Sequence, residues 1–215
     1  KIQRLHFWEL GREDDQRCTG SGDVNNRQNI TIYEGMEESG IRITSRDWLD
    51  DYEHRYQKAR LIWKEKILEE AKHVNNPFDA YASNPFIMPE GRPVSEMDIQ
   101  EAEIVVYVIS RISGEGKDRR LEKGDYYLSE REEKDILFLN SRSSAYCSAY
   151  KCRWSCGAYR YSGKSAVDKR YPQYFPAGQE GGRAVARILL GEAVPSGKLT
   201  TTWAKKYADV PFAEN

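Results

Sequence analysis

The sequence has little of what marks several classes of protein. Only 4 of its 215 residues are cysteine, too few to indicate a disulfide scaffold. No apolar run approaches the roughly 20 residues that a membrane helix needs. The 33 Lys and Arg residues nearly cancel the 34 Asp and Glu residues, whereas nucleic-acid binders usually show a basic excess. We therefore expect neither a nucleic acid nor a membrane as partner.

The start of the chain carries no recognisable signal peptide, which predicts a cytoplasmic location. The true start is left open, because the first residue is not Met.

Apolar residues at helical spacing predict two helices in the first third of the chain. Ile30, Tyr33 and Met36 indicate a helix that stops at Gly40. A longer amphipathic helix is expected from the N-cap Ser45 to about His73. Its apolar stripe comprises Trp48, Tyr52, Tyr56, Ala59, Trp63 and Ile67.

The middle of the chain predicts a loop followed by a buried strand. Four prolines between Asn75 and Pro93 are too many for a helix or a central strand, so we expect a loop there. Ser95 then opens a short helix. The run 104–109 is apolar and mostly β-branched, which is typical of a parallel strand buried on both faces.

Later signals continue this alternation of helices and strands. The capping box Ser129–Glu132 begins another helix. An apolar helical face formed by Ala184, Val185, Ile188 and Leu189 ends at Gly191. Residues 199–203 are expected to form a last strand. The sequence therefore predicts a single α/β domain, a layered sandwich with a mostly parallel sheet flanked by helices.

One loop carries a candidate for chemistry. The buried strand runs directly into Ser110-Arg-Ile-Ser-Gly-Glu-Gly-Lys-Asp-Arg119, in which Gly114 and Gly116 flank Glu115. Ligands of open α/β sheets bind at the carboxyl ends of the strands, and the two glycines allow a backbone that exposes the carboxylate. By itself, a Glu between glycines more often marks a surface turn.

Several motifs in the same order resemble one known family. They are "TGSGDVN" from Thr19, "NPFDAYASNPFIMP" from Asn76, "VVYVISRISGEGKDRRLEKGDYYLSEREEKD" from Val105 and "PAGQEGGRAVARILLGEAVPSGKL" from Pro176. Together they resemble the carboxy-terminal α/β domain of glycoside hydrolase family 3, over residues 19–210. The resemblance implies the acid/base-bearing domain of a retaining β-glucosidase-like enzyme. It implies a carbohydrate substrate, a β-glycoside, and neither a metal nor an organic cofactor.

The resemblance also implies roles for three residues. In family members whose loop reads Ser-Gly-Glu-Gly, the Glu is the general acid/base, which places that role on Glu115. Asp118 and Arg119 belong to the same loop motif and are interpreted as supports of the loop rather than as sugar ligands.

Half of the active site that the resemblance implies is missing from this chain. Retaining glycosidases need a second carboxylate, about 5–5.5 Å from the acid/base. In this family that nucleophile is an Asp on a separate (β/α)8 barrel, and a barrel of about 250 residues does not fit within this chain. The missing barrel is therefore an expected partner. The ending "TTTWAKKYADVPFAEN" from Thr200 resembles an internal boundary in members that place this domain before the barrel. We therefore interpret the chain as an excerpt or a truncated product, with residues 211–215 as the truncated boundary.

Two segments depart from the family, residues 1–18 and about 137–177, and they contain all four cysteines. Permitted codons for residues 144–157, shifted by one base, read "HPHIVVLINAGGVV", and those for 158–177 read "ELTDILEKAQLINAILNISQ". The same operation on residues 6–17 gives "IFGNWGAKTIKG". Because these readings restore family-like strands where the family needs them, we interpret both segments as frameshifted.

Two other readings of the chain compete with the glycosidase. Residues 157–165 end like a phosphate-binding loop, but five residues separate the glycines instead of four. Cys147, Cys152 and Cys156 suggest a metal site, but their spacings miss the usual Cys-x2-Cys. A nucleotide- or metal-binding module is thus the weaker alternative. The stronger one is a non-catalytic or inactive α/β domain fragment.

Overall fold

A computed structural model describes residues 4–8, 27–111, 120–142, 146–152, 173–174, 178–198, 204 and 206–210, with the backbone alone for 4–8, 146–152 and 173–174. The strands are β1 (Arg4–Trp8), β2 (Arg42–Ile43), β3 (Ile104–Arg111), β4 (Tyr146–Cys152) and β5 (Gln173–Tyr174). The helices are α1 (Ile32–Glu38), α2 (Arg46–Glu70), α3 (Pro77–Ser83), α4 (Glu96–Ile99), α5 (Glu130–Arg142) and α6 (Gly181–Leu189).

The chain divides into two compact units. The first comprises Lys1–Ser45 and Pro93–Asn215, and the second comprises Arg46–Arg92. The sequence predicts one domain spanning 19–210, and that boundary stays a prediction. Within the part that the structure describes, no helix has the length and apolar character needed to cross a bilayer.

The first unit is built on a five-stranded sheet in the order β2-β1-β3-β4-β5. Each neighbouring pair of strands runs parallel. Strand β3 therefore has a partner on each side, and residues 105–110 are buried along its length. Its apolar, β-branched run satisfies that environment, which confirms the predicted buried strand.

Two parts of the second divergent segment, residues 137–177, form the strands β4 and β5 of this sheet. Strand β4 lies beside β3, with Val105 opposite Tyr146 and Arg111 opposite Cys152. Strand β5 pairs in turn with β4. The backbone of β4 thus pairs as a strand of the sheet, although its sequence, YCSAYKC, has no apolar run like that of β3. The predicted strand at 199–203, the "TGSGDVN" motif from Thr19 and the phosphate-loop-like stretch at 157–165 lie outside the described residues.

Helices α1 and α6 of the first unit meet at two glycines. A Cβ on Gly182 would lie 2.0 Å from the Thr31 carbonyl oxygen, and one on Gly35 would lie 2.5 Å from the Gly182 carbonyl oxygen. The Gly182 N–H donates to the Ile30 carbonyl at 3.0 Å. The two backbones therefore touch where any larger residue would separate them.

The close contact between α1 and α6 corrects the buried face that the sequence predicts for α6. The buried residues are Gly181, Gly182, Val185 and Ala186, whereas Ala184 is exposed. The sequence pattern selected the apolar side chains and overlooked the glycines, but the glycines allow the closest packing and so turn their side of the helix inward. Gly191, with φ of 76°, follows the end of the helix as predicted.

Replacing Gly182 with Ala is expected to loosen the contact between α1 and α6. The added methyl group meets backbone atoms that cannot rotate away, and overpacking of this kind typically costs about 1–3 kcal/mol. In the chain with both divergent segments restored to the shifted frame, amide exchange within α1 should accelerate by about tenfold or more. The matched control is Gly197→Ala, where a Cβ meets nothing within 4 Å. Equal exchange rates in the two variants would show that the glycine contact does not hold α1.

The second unit contains the predicted long helix, α2. Trp48, Tyr52 and Tyr56 are buried, and the rings of Trp48 and Tyr52 stack with centroids 5.7 Å apart. Farther along the stripe, Trp63 is only half-buried and meets Phe86 edge-on at 5.6 Å. The predicted helix is confirmed, and a short 3-10 turn at Ala71–His73 ends it.

The predicted loop at 75–93 is wrong at residues 77–83, because α3 lies there. The Asn76 side chain caps this helix by accepting from the Phe78 N–H, and Pro77 occupies the first turn. Proline is favourable at that position, since the N–H that it lacks would have no helical partner. Counting prolines without their positions led to the error. The other three prolines of this stretch lie outside regular structure.

Candidate functional site

The candidate functional residues lie in the Gly-Glu-Gly segment, residues 112–119, which follows the carboxyl end of β3 in the sequence. The predicted site residues Glu115, Asp118 and Arg119 fall within 112–119, outside the described residues. What the structure describes are the two ends of this segment, Arg111 on one side and Arg120 on the other. Both ends are held by a network of charged groups that the sequence analysis did not identify.

Arg111 is the centre of this network. Its guanidinium donates to both carboxylate oxygens of Glu132, Nη1 to Oε1 and Nη2 to Oε2, each at 2.6 Å. The side chains are only 7% and 4% exposed. Such a two-point pairing fixes orientation as well as charge. Removing one partner of a buried pair typically costs about 3–5 kcal/mol, because the other charge is left without compensation.

The same guanidinium also binds the chain that follows the Gly-Glu-Gly segment. Arg111 Nε donates to the Asp125 carbonyl at 2.8 Å, and Nη2 reaches the Tyr127 carbonyl at 3.4 Å. The Asp125 carboxylate accepts from the Arg120 N–H at 3.0 Å. Residues 120–127 are therefore tied to the residue at which β3 ends.

Glu132 connects this network to helix α5. One of its oxygens, Oε2, accepts from the Ser129 N–H at 2.7 Å, and the Ser129 hydroxyl accepts from the Glu132 N–H at 3.2 Å. These reciprocal bonds form the predicted capping box, which satisfies two N–H groups at the start of the helix. The capping carboxylate and the partner of Arg111 are thus the same group.

A second buried carboxylate, Asp135, lies one turn farther along α5. It accepts from the Val94 N–H at 3.2 Å and lies 3.5 Å from the Tyr107 hydroxyl of β3. Burial raises the pKa of Asp135, although the Val94 N–H and the Arg131 guanidinium oppose that rise. This residue joins α5, β3 and the segment before α4, and it belongs to the core of the first unit.

The sequence contained a signal for the Arg111–Glu132 pair. An arginine at the end of a buried strand needs a partner, because a charge is costly to bury alone. The capping-box glutamate 21 residues later was identified for its helical role only. Sequence spacing could not show that one carboxylate serves both groups, because the pairing depends on how α5 packs beside β3.

The residues that the structure describes contain no group of three or more His, Cys, Asp or Glu side chains able to hold a metal ion. The side chains of Cys147, Cys152 and Cys156 lie outside the described residues, so the weaker metal-site alternative is untested.

Comparison with known proteins gives a consistent picture. The family model described as "Glycosyl hydrolase family 3 C-terminal domain" matches residues 173–215. Beta-glucosidase A of Butyrivibrio fibrisolvens is 28% identical over 222 residues, which cover 91% of this chain and 24% of that protein. A beta-glucosidase of Ruminococcus albus is 24% identical and covers 92% of this chain and 19% of its own length.

A solved structure extends the similarity to the fold. Beta-glucosidase 3B from Thermotoga neapolitana, in complex with glucose, superposes with a TM-score of 0.72 and 28% identity, over 98% of this chain and 28% of that one. This chain therefore spans about a quarter of the length of the relatives that it matches. The matches support the resemblance inferred from the motifs: this chain is similar to the C-terminal domain of glycosyl hydrolase family 3.

Proposed function

We propose that this chain is the acid/base-bearing domain of a retaining β-glucosidase-like enzyme that hydrolyses O-glycosyl bonds. The observation that carries the proposal is the position of the Gly-Glu-Gly segment. It follows β3, a strand with parallel neighbours on both sides, and ligands of such sheets bind at the carboxyl ends of the strands. Arg111 and Arg120, which border the segment, belong to a hydrogen-bonded network.

In this proposal, Glu115 first donates a proton to the leaving glycosidic oxygen. It then takes a proton from the water that attacks the glycosyl-enzyme intermediate. Asp118 and Arg119 support the loop. The nucleophile is an Asp on the (β/α)8 barrel, which supplies the other half of the site. That relatives are much longer than this chain supports a partner domain of this kind.

The substrate class is a β-glycoside, and the relatives' names support a glucoside. One matched structure is of a beta-glucosidase in complex with glucose. The chemistry of Glu115 needs no metal or organic cofactor, since a carboxyl group serves as both acid and base. A layered sandwich with helices covering the parallel sheet, and a cytoplasmic location, complete the proposal.

A graft tests this function. In beta-glucosidase A of Butyrivibrio fibrisolvens, the stretch that matches this chain is replaced by this chain. Two grafts are made: one carries the chain as written, and the other carries it with both divergent segments restored to the shifted frame. The restored graft is expected to hydrolyse an aryl β-glucoside. The isolated chain should show no turnover above background, because a retaining mechanism needs two carboxylates.

The control is beta-glucosidase A with the matched stretch deleted, which should be inactive. Two results would contradict the proposal. One is a soluble, folded, restored graft with no more turnover than the deletion. The other is robust hydrolysis by the isolated chain, since that would require a complete site within these residues.

A further inference from the structure

The Arg111 guanidinium joins three parts of the first unit at the carboxyl end of β3. It binds the Glu132 carboxylate at the start of α5 and the carbonyl oxygens of Asp125 and Tyr127. A further bond from Nη1 reaches the Ser110 carbonyl at 2.8 Å. The residue that precedes the Gly-Glu-Gly segment is therefore bound directly to the stretch that follows it.

We propose that Arg111 is a positioning residue for the general acid/base, acting by fixing both ends of residues 112–119. This inference rests on the proposed role of Glu115. The Arg111 guanidinium is held in place by its pairing with Glu132, which fixes the residue before the segment. The same guanidinium fixes the residues after the segment through its hydrogen bonds to the Asp125 and Tyr127 carbonyls. In this proposal Arg111 acts through the backbone carbonyls and the carboxylate that it binds, and not by contact with the substrate.

The geometry favours positioning over simple charge balance. A lone buried carboxylate at Glu132 could be compensated by any cation, but only a planar guanidinium can also reach the two backbone carbonyls. Arg120 and Asp125 add a second tie at the exit, through the Arg120 N–H and a guanidinium contact of 3.6 Å. The Arg111 guanidinium thus donates to the Ser110 carbonyl before the segment and to the Asp125 and Tyr127 carbonyls after it.

The test variant is Arg111→Lys, which keeps the charge and removes the fork. The matched control is Arg142→Lys, on the same unit, because Arg142 pairs with Glu96 at 3.0 Å on the surface, with both side chains more than half exposed. In the full 215-residue chain with both divergent segments restored to the shifted frame, amide exchange at residues 120–127 should become faster in Arg111→Lys and stay unchanged in Arg142→Lys. Unchanged exchange in both variants would overturn the inference without any activity measurement.

The graft into beta-glucosidase A separates positioning from mere stability. A displacement of about 1 Å at a reacting group can cost on the order of a hundredfold in rate. For an alkyl β-glucoside, which needs protonation of its leaving group, kcat of Arg111→Lys should fall roughly tenfold to a hundredfold with little change in KM. A dinitrophenyl β-glucoside does not need protonation of its leaving group, so its rate of glycosylation should change less than about threefold.

The outcomes distinguish this inference from the proposed function. If the parent graft is inactive, the proposed function fails, and the exchange measurement still tests the ties of Arg111. If the parent graft is active and Arg111→Lys loses equal activity on both substrates, Arg111 is a structural residue only. If Arg111→Lys and Arg142→Lys behave alike on both substrates, the inference is wrong while the role of Glu115 stands.

Discussion

Restoring both divergent segments to the shifted reading frame is expected to give a chain that unfolds in one cooperative transition, whereas the chain as written should be insoluble or molten. Strand β4 carries the reason. It lies between β3 and β5 in a parallel sheet, and such a strand is normally apolar along its whole length. As written it reads YCSAYKC and includes Lys151.

The restored frame supplies the residues that these strand positions require. Aligned letter for letter, "HPHIVVLINAGGVV" places "HIVVLIN" on Tyr146–Cys152, which pairs along the whole of 105–111. The continuation "AILNI" covers Gln173–Tyr174, the residues of β5. Burying an unpaired charge costs several kcal/mol, and the net stability of a domain is only about 5–15 kcal/mol. Two polar strands should exceed that margin.

Urea unfolding of the two chains, followed by tryptophan fluorescence and circular dichroism, measures this effect. The restored chain should give coincident, single transitions, and its amides in 146–152 should exchange slowly. A control chain restored only in residues 6–18 should remain non-cooperative. A sharp transition of the chain as written, with slow exchange within 137–177, would show that the written sequence has a stable fold and that the frameshift interpretation is wrong.

The sequence predicted elements where one local signal decides the structure. The apolar run of β3 and the Ser129–Glu132 capping box are such signals, and the structure confirms both. Helix α3 was missed because the effect of proline depends on its position, and Pro77 lies at a helix start. The buried face of α6 was misassigned because glycine carries no apolar side chain, so that a close backbone contact leaves no hydrophobic pattern in the sequence.

The same distinction between local signals and long-range contacts applies to the candidate site. The resemblance of the Ser-Gly-Glu-Gly loop to the family motif selected Glu115 as the proposed acid/base, because a Glu between glycines does not by itself indicate a catalytic residue. The Arg111–Glu132 pair could not be predicted, since it depends on the packing of α5 beside β3. Local signals thus predict elements, and contacts between distant residues require the structure.

Replacing Glu115 with Ala in the active graft is expected to affect substrates unequally. An alkyl β-glucoside depends on protonation of its leaving oxygen, and loss of a general acid typically costs about a hundredfold to ten-thousandfold in rate. A dinitrophenyl β-glucoside leaves without that proton, so its glycosylation step should be slowed far less. Hydrolysis of the intermediate should then limit turnover, because the attacking water has lost its base.

The control for this prediction is Glu122→Ala. Glu122 lies in the stretch that follows the segment, where it pairs at the surface with Arg120 at 2.7 Å and is half exposed. An exposed pair of this kind contributes little, about 0–1 kcal/mol. The Glu122→Ala graft should therefore retain near-parental rates on both substrates.

The most direct test of the account is product analysis of the Glu115→Ala graft with a dinitrophenyl β-glucoside in the presence of azide. Azide needs no general base, so it should attack the glycosyl-enzyme intermediate and accelerate turnover. Two displacements at the same carbon retain its configuration, and the account therefore predicts β-glucosyl azide as a product. Equal losses on both substrate types, with no acceleration by azide and no glycosyl azide, would contradict the assignment of Glu115 as the general acid/base.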